Sequence, residues 1–121
     1  MSVGCVDMDM DCVFCRIHSG EIESDIIYSN DNCFAIRDIA PKAPIHVLVI
    51  PNHHFTYLKG LTSTHHSMLV GLFEVAKTIA EREGVADSGY RLVINQGDHS
   101  GQAVPHLHLH ILGGSQLPEL G

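Results

Sequence analysis

The chain has 121 residues, 45% of them hydrophobic, which suits one domain with one core and excludes a mainly disordered chain. Seven basic residues stand against fourteen acidic ones, a formal net charge of −7, so a surface that grips nucleic acid nonspecifically is not expected. No window approaches the ~18 consecutive apolar residues of a membrane span, so no membrane insertion is expected either.

Residues 1–11 lack apolar periodicity and are expected to form a flexible tail. They also lack the charged and apolar regions of a secretory signal. A cytoplasmic protein with reduced thiols is therefore expected, rather than a disulfide framework. The four cysteines are Cys5, Cys12, Cys15 and Cys33. Cys12-Val13-Phe14-Cys15 reads as a metal half-site, a redox pair or plain core. A redox pair usually opens a helix behind a strand, and nothing before Cys12 reads as a strand. Residues 13–18 suit a short helical turn ending at Gly20.

Residues 26–30 and 33–38 read as two strands joined by the polar turn Asn30-Asp31-Asn32. Pro41 and Pro44 mark a loop. Residues 46–50 are continuous, β-branched and bounded by prolines, as a central strand should be. Over residues 64–83, Met68, Leu69, Leu72, Phe73, Ala76, Ile79 and Ala80 recur at helical steps, with Gly84 behind them. Residues 90–95 form another strand, 96–105 a loop with Gly97 and Gly101, and 107–112 the last strand. Strands without regular βαβ alternation point to an α+β fold with a mostly antiparallel sheet.

The chemistry concentrates in His106-Leu107-His108-Leu109-His110-Ile111-Leu112. Side chains alternate along a strand, so the three histidines share one face and the apolar residues enter the core from the other. Unpaired imidazoles are costly to bury, which makes packing alone a poor explanation. One metal cannot easily hold all three, because the outer pair starts ~13 Å apart along the strand while zinc holds its ligands within ~2.1 Å. At least one imidazole is left for nucleophilic or proton-transfer work. The glycines of the preceding loop let backbone N–H groups approach a phosphate.

The triad, together with Asp38-Ile39-Ala40-Pro41-Lys42-Ala43-Pro44-Ile45-His46-Val47-Leu48-Val49-Ile50-Pro51, resembles the histidine triad (HIT) family. Gly113-Gly114 is similar to its branch of nucleotide-binding proteins and purine nucleoside phosphoramidases. The resemblance covers about residues 12–116, a single domain followed by a short tail over 117–121. It implies a meander sheet with one long helix and a short N-terminal helix, a homodimer, and a purine nucleoside monophosphate or its phosphoramidate as ligand. By resemblance, His108 attacks the α-phosphorus to give a nucleotidyl-histidine, His110 contacts the phosphate, and His46 supports the site. Asp38, which could otherwise cap a turn, takes the ribose hydroxyls. Ile17, Ile36 and Ile39 line the base pocket. Asn95, Gly101 and the backbone near Gln102 and Ala103 contact the phosphate. Ala103 stands where the branch often has serine, and the tryptophan that some members carry near the C-terminus is missing; both bear on the leaving group.

Cys12, Cys15, His54 and His106 form a set that suits tetrahedral zinc, with His53 as the alternative to His54. Some family members carry a structural zinc at the matching positions. Three other readings compete with phosphoramidate hydrolysis: hydrolysis of dinucleoside polyphosphates, a nucleotide-binding interaction module, and a hydrolase whose nucleophile is zinc-bound water.

Overall fold

The computed structural model describes residues 11–120. The tail expected over 1–11 lies outside them apart from Asp11, as does Cys5. Helix α1 spans Val13–His18 and is followed by strands β1 (Ile26–Ser29), β2 (Cys33–Arg37) and β3 (Ile45–Pro51). A 3-10 turn, Ser63–His65, leads into helix α2 (His66–Arg82), strands β4 (Tyr90–Val93) and β5 (Leu109–Gly113) follow, and two further 3-10 turns, Leu58–Gly60 and Asp98–Ser100, lie in the loops. The fold is α+β: one five-stranded sheet in the order β1-β2-β3-β5-β4, with every pairing antiparallel.

Alternation assigns the two faces of the sheet. Val47 and Val49 of β3 and Leu109 and Ile111 of β5 point one way. They bury against Leu72, Val75, Ala76 and Ile79 of α2. The helical stripe therefore includes Val75, whereas Phe73 is turned outward and 49% exposed. On the other face, Phe34, Ile36, Leu48 and Ile50 pack against Phe14 and Ile17 of α1. A six-residue helix covers only part of that face. The rest, carrying His46 and His110, borders an open cleft.

The last strand is shorter at its start than the alternation suggests. The Leu107 N–H donates to the Phe55 carbonyl (2.6 Å) and the His106 N–H to Val104 (2.8 Å), so this stretch is held by loops. Leu107 still enters the α2-side core while His106 and His108 face α1. Strand β4 ends at Val93, and the Asn95 amide turns back to donate to the Ser100 carbonyl at 2.9 Å.

Candidate active site

His46, on β3, is a neighbour of Leu112 on β5, and Leu48 pairs with His110. This register brings His46 and His110 together on the open face. The Lys42 N–H donates to His46 Nδ1 at 3.0 Å. A neutral His46 then carries its proton on Nε2, which donates to His110 Nδ1 at 2.9 Å. His110 in turn carries its proton on Nε2. The Asp38 carboxylate lies 3.4 Å from His46 Nε2, and its other oxygen accepts the Ala40 N–H at 2.8 Å. Asp38 thus caps a turn and faces the histidine pair at once.

His108 is buried, and its Nδ1–H donates to the His106 carbonyl at 2.7 Å. That fixes the tautomer and leaves the Nε2 lone pair available. Burial lowers the basicity of all three residues. His110 is pushed down to about 4, first by desolvation and then by the neighbouring histidines and Lys42, against the pull of Asp38. His46 and His108 are also lowered, with burial the first cause and Asp38 opposing it in both. A neutral imidazole is the form that can attack an electrophile.

Two connected hollows share Asp38, Ala103, His108 and His110. The first, about 630 Å³, is bordered also by His46, Asn95 and Gly101. The second, about 450 Å³, has an apolar wall that includes Phe14, Ile17, Ile36, Leu48 and Val104. Ile39 lies at the rim of this second hollow, 98% exposed. Gly97 and Gly101 adopt φ of +83° and +87°, which side-chain-bearing residues rarely take, and so allow the loop its tight turn. Gln102 borders neither hollow. Its side chain accepts the Gly97 N–H at 2.7 Å and donates to the Val104 carbonyl at 3.1 Å, holding the loop closed. His99 is exposed on the same loop.

Sequence reasoning missed Phe14, Leu48, Val104 and the Lys42 N–H. Alternation from His46 could have found Leu48, two residues on. Nothing local marks the Lys42 amide. Residues 117–120 also border the larger hollow, and the Pro118 carbonyl accepts from Arg91 Nη2 at 2.8 Å.

A second cluster lies behind the nucleophile. Single donor atoms from Cys12, Cys15, His54 and His106 all lie within 4.8 Å of one another. His106 Nε2–H donates to the Pro51 carbonyl at 2.9 Å, so its Nδ1 lone pair faces the thiols, 3.3 Å from Cys12 Sγ. Thr56 Oγ1 donates to the Pro105 carbonyl and lies 3.4 Å from His54 Nε2. His54 therefore turns Nδ1 inward, 3.1 Å from Cys15 Sγ. Burial pushes His106 down to about 4, which keeps it neutral. Two soft sulfurs and two oriented imidazole nitrogens fit a tetrahedral thiophilic cation. His54, not His53, faces the cysteines; His53 is exposed, with its ring 6.5 Å from that of His65.

The HIT domain family model matches residues 19–117. The chain belongs to the HIT domain family. It is 44% identical over 110 residues to the purine nucleoside phosphoramidase of Escherichia coli, covering 91% of this chain and 92% of that one. A HIT family hydrolase from Clostridium thermocellum superposes with a TM-score of 0.90 at 40% identity, covering 93% of this chain and 98% of that one. A zinc-bound histidine triad family protein from Mycobacterium smegmatis gives 0.74 at 37% identity, covering 85% and 74%. The chain is a hydrolase of the HIT family. Among the described residues, no helix is long and apolar enough to cross a membrane.

Proposed function

We propose that this HIT protein hydrolyses purine nucleoside 5′-monophosphoramidates through a nucleotidyl intermediate on His108. The observation that carries the reading is the committed tautomer of His108: its Nδ1–H is held by a backbone carbonyl, and its Nε2 is left as a neutral nucleophile. The base takes the apolar hollow of Phe14, Ile17, Ile36 and Leu48, with Ile39 at its rim. Asp38 receives the ribose hydroxyls. The phosphate lies by Asn95, Gly101 and the backbone of Gln102 and Ala103, with His110 Nε2–H as a donor to its oxygen. His108 Nε2 attacks phosphorus, the P–N bond breaks, and the departing nitrogen takes a proton. Water then attacks the same phosphorus, releasing the nucleoside monophosphate and restoring His108. The Escherichia coli relative bears the name of this activity, which supports the choice of leaving group.

Cys12, Cys15, His54 and His106 would hold a zinc ion that supplies a structural tie. Four protein donors, three of them on fully buried residues, leave no open position of the kind a catalytic zinc requires. Reduced thiols at such a site suit the cytoplasm, where we place the enzyme. We also place a second copy of the chain against α2 and the edge strand β4, where Val70, Phe73, Tyr90 and Leu92 are exposed.

Hydrolysis of a fluorogenic adenosine phosphoramidate tests the reading. His108→Ala should lower kcat/KM by roughly 10⁴-fold or more, as loss of a nucleophile does, while AMP still binds. Full activity in His108→Ala would falsify the covalent route. Binding of AMP without turnover by the wild type would favour an interaction module.

A further inference from the structure

We infer that metal occupancy of the Cys12, Cys15, His54 and His106 cluster sets both the affinity of the neighbouring cleft for nucleotide and the orientation of His108. Helix α1 is then a metal-latched wall of the active site. The affinity half of this inference rests on the nucleotide reading of the cleft.

Two structural links join the cluster to the site. The first is His106 itself. Its imidazole belongs to the donor set, while its backbone carbonyl accepts the His108 Nδ1–H at 2.7 Å. Whatever fixes the His106 ring fixes the acceptor that selects the His108 tautomer. The second link is Phe14, which stands between the two cysteines in sequence. Its ring meets those of His106 and His108 edge-on, with centroids 5.7 Å and 5.0 Å away. Phe14 and Ile17 also form part of the apolar hollow.

What holds α1 in place matters for the same reason. It has six residues, far too few for an isolated helix to persist. It adds no strand to the sheet. Its ties include the packing of Phe14 and Ile17, the stacking of His18 on Phe34 (centroids 5.5 Å apart), and the thiols of Cys15 and the preceding Cys12, which face His54 and His106. A cation bridging the four donors joins α1 to the loop after β3 and to the segment before β5. Without it, the four donors lose their shared ligand, and α1 loses that link to the loop after β3 and to the segment before β5. His106 and Phe14 are positioning residues in this scheme.

His54 borders neither hollow, and its ring meets that of His106 edge-on with centroids 4.6 Å apart, so His54→Asn removes one donor and leaves the cleft walls intact. AMP binding by calorimetry and the ¹⁵N resonances of His108 are followed in wild type and variant over graded Zn(II). The variant at low zinc should bind AMP at least about tenfold more weakly than zinc-loaded wild type and regain that affinity as zinc is added. The His108 resonances should move in step, from an averaged signal to that of the Nδ1–H tautomer. Linkage requires AMP to tighten zinc binding by the same factor. AMP affinity and His108 resonances that ignore zinc would overturn the inference. So would loss of the whole fold at low zinc, seen as collapse of amide dispersion, since the tie would then be global. If zinc-loaded wild type binds no AMP, the nucleotide reading and the affinity half fall together. The resonances then decide the His108 half alone.

Discussion

His106, His108 and His110 each have one ring nitrogen tied to a partner: the Pro51 carbonyl, the His106 carbonyl and His46. The other nitrogen of each is thereby given a definite character, a lone pair toward the thiols, a lone pair for attack, and an N–H donor. Alternation along the strand was enough to expect the shared face. The division of labour was not legible, because the deciding partners are backbone carbonyls and a side chain on β3, which alternation along the triad does not reveal. The choice of His54 over His53 is similar, since two adjacent loop histidines look alike until the backbone aims one of them. The neutral state of His110 has a consequence for stability. An unfolded histidine titrates near 6.5, whereas the folded His110 titrates at about 4. Between these values the unfolded chain binds more protons at this residue, so the contribution of His110 to stability is lost as pH drops from about 6.5 toward 4 and is constant above. The groups facing the ring are His46, His108, Asp38 and Lys42. Melting temperatures across this range, at one metal loading, should fall more steeply for wild type than for His110→Asn. Parallel curves would remove His110 from the acid response.

Elements built on apolar periodicity were the legible ones. Strand β3 and helix α2 appear within a residue or two of their expected ends, because hydrophobic repeats report burial directly. Phe73 is the exception within the helix: a helical repeat leaves the flank of the stripe ambiguous, and the sheet below chose Val75 instead. The loop from Gly97 to Val104 was legible only as a loop. Its shape depends on Gln102, whose amide spans Gly97 and Val104. A polar side chain in a glycine-rich stretch carries no periodic signal, so this bracing role had no sequence signature. Replacing Gln102 with alanine leaves the Gly97 N–H and the Val104 carbonyl without that partner. The expected cost is about 1 kcal/mol in denaturant stability. KM for the phosphoramidate should rise about tenfold while kcat changes less, since the loop borders the phosphate rather than supplying the nucleophile. A fall in kcat with KM unchanged would show instead that the loop acts in the transition state.

At the scale of the whole molecule, the two faces of the sheet are unequally covered. Helix α2 lies over β3 and β5, while Tyr90 and Leu92 of β4, on the same face, remain 37% exposed each. On the helix, Val70 is 58% and Phe73 49% exposed. Strand β4 is also a sheet edge, with backbone groups free to pair. Apolar side chains beside an unpaired edge are a liability in a monomer and an asset in a two-fold dimer, where the same patch meets itself. No single residue in the sequence announces this, because exposure is set by where α2 settles on the sheet. Phe73→Glu places a charge on the patch and leaves the buried stripe of Leu72, Val75, Ala76 and Ile79 untouched. Sedimentation should show wild type at twice the chain mass and Phe73→Glu as a monomer that is still folded. A wild type that sediments as a monomer at all concentrations would remove the second copy from the proposal. A Phe73→Glu variant that remains a dimer would move the contact elsewhere on the surface.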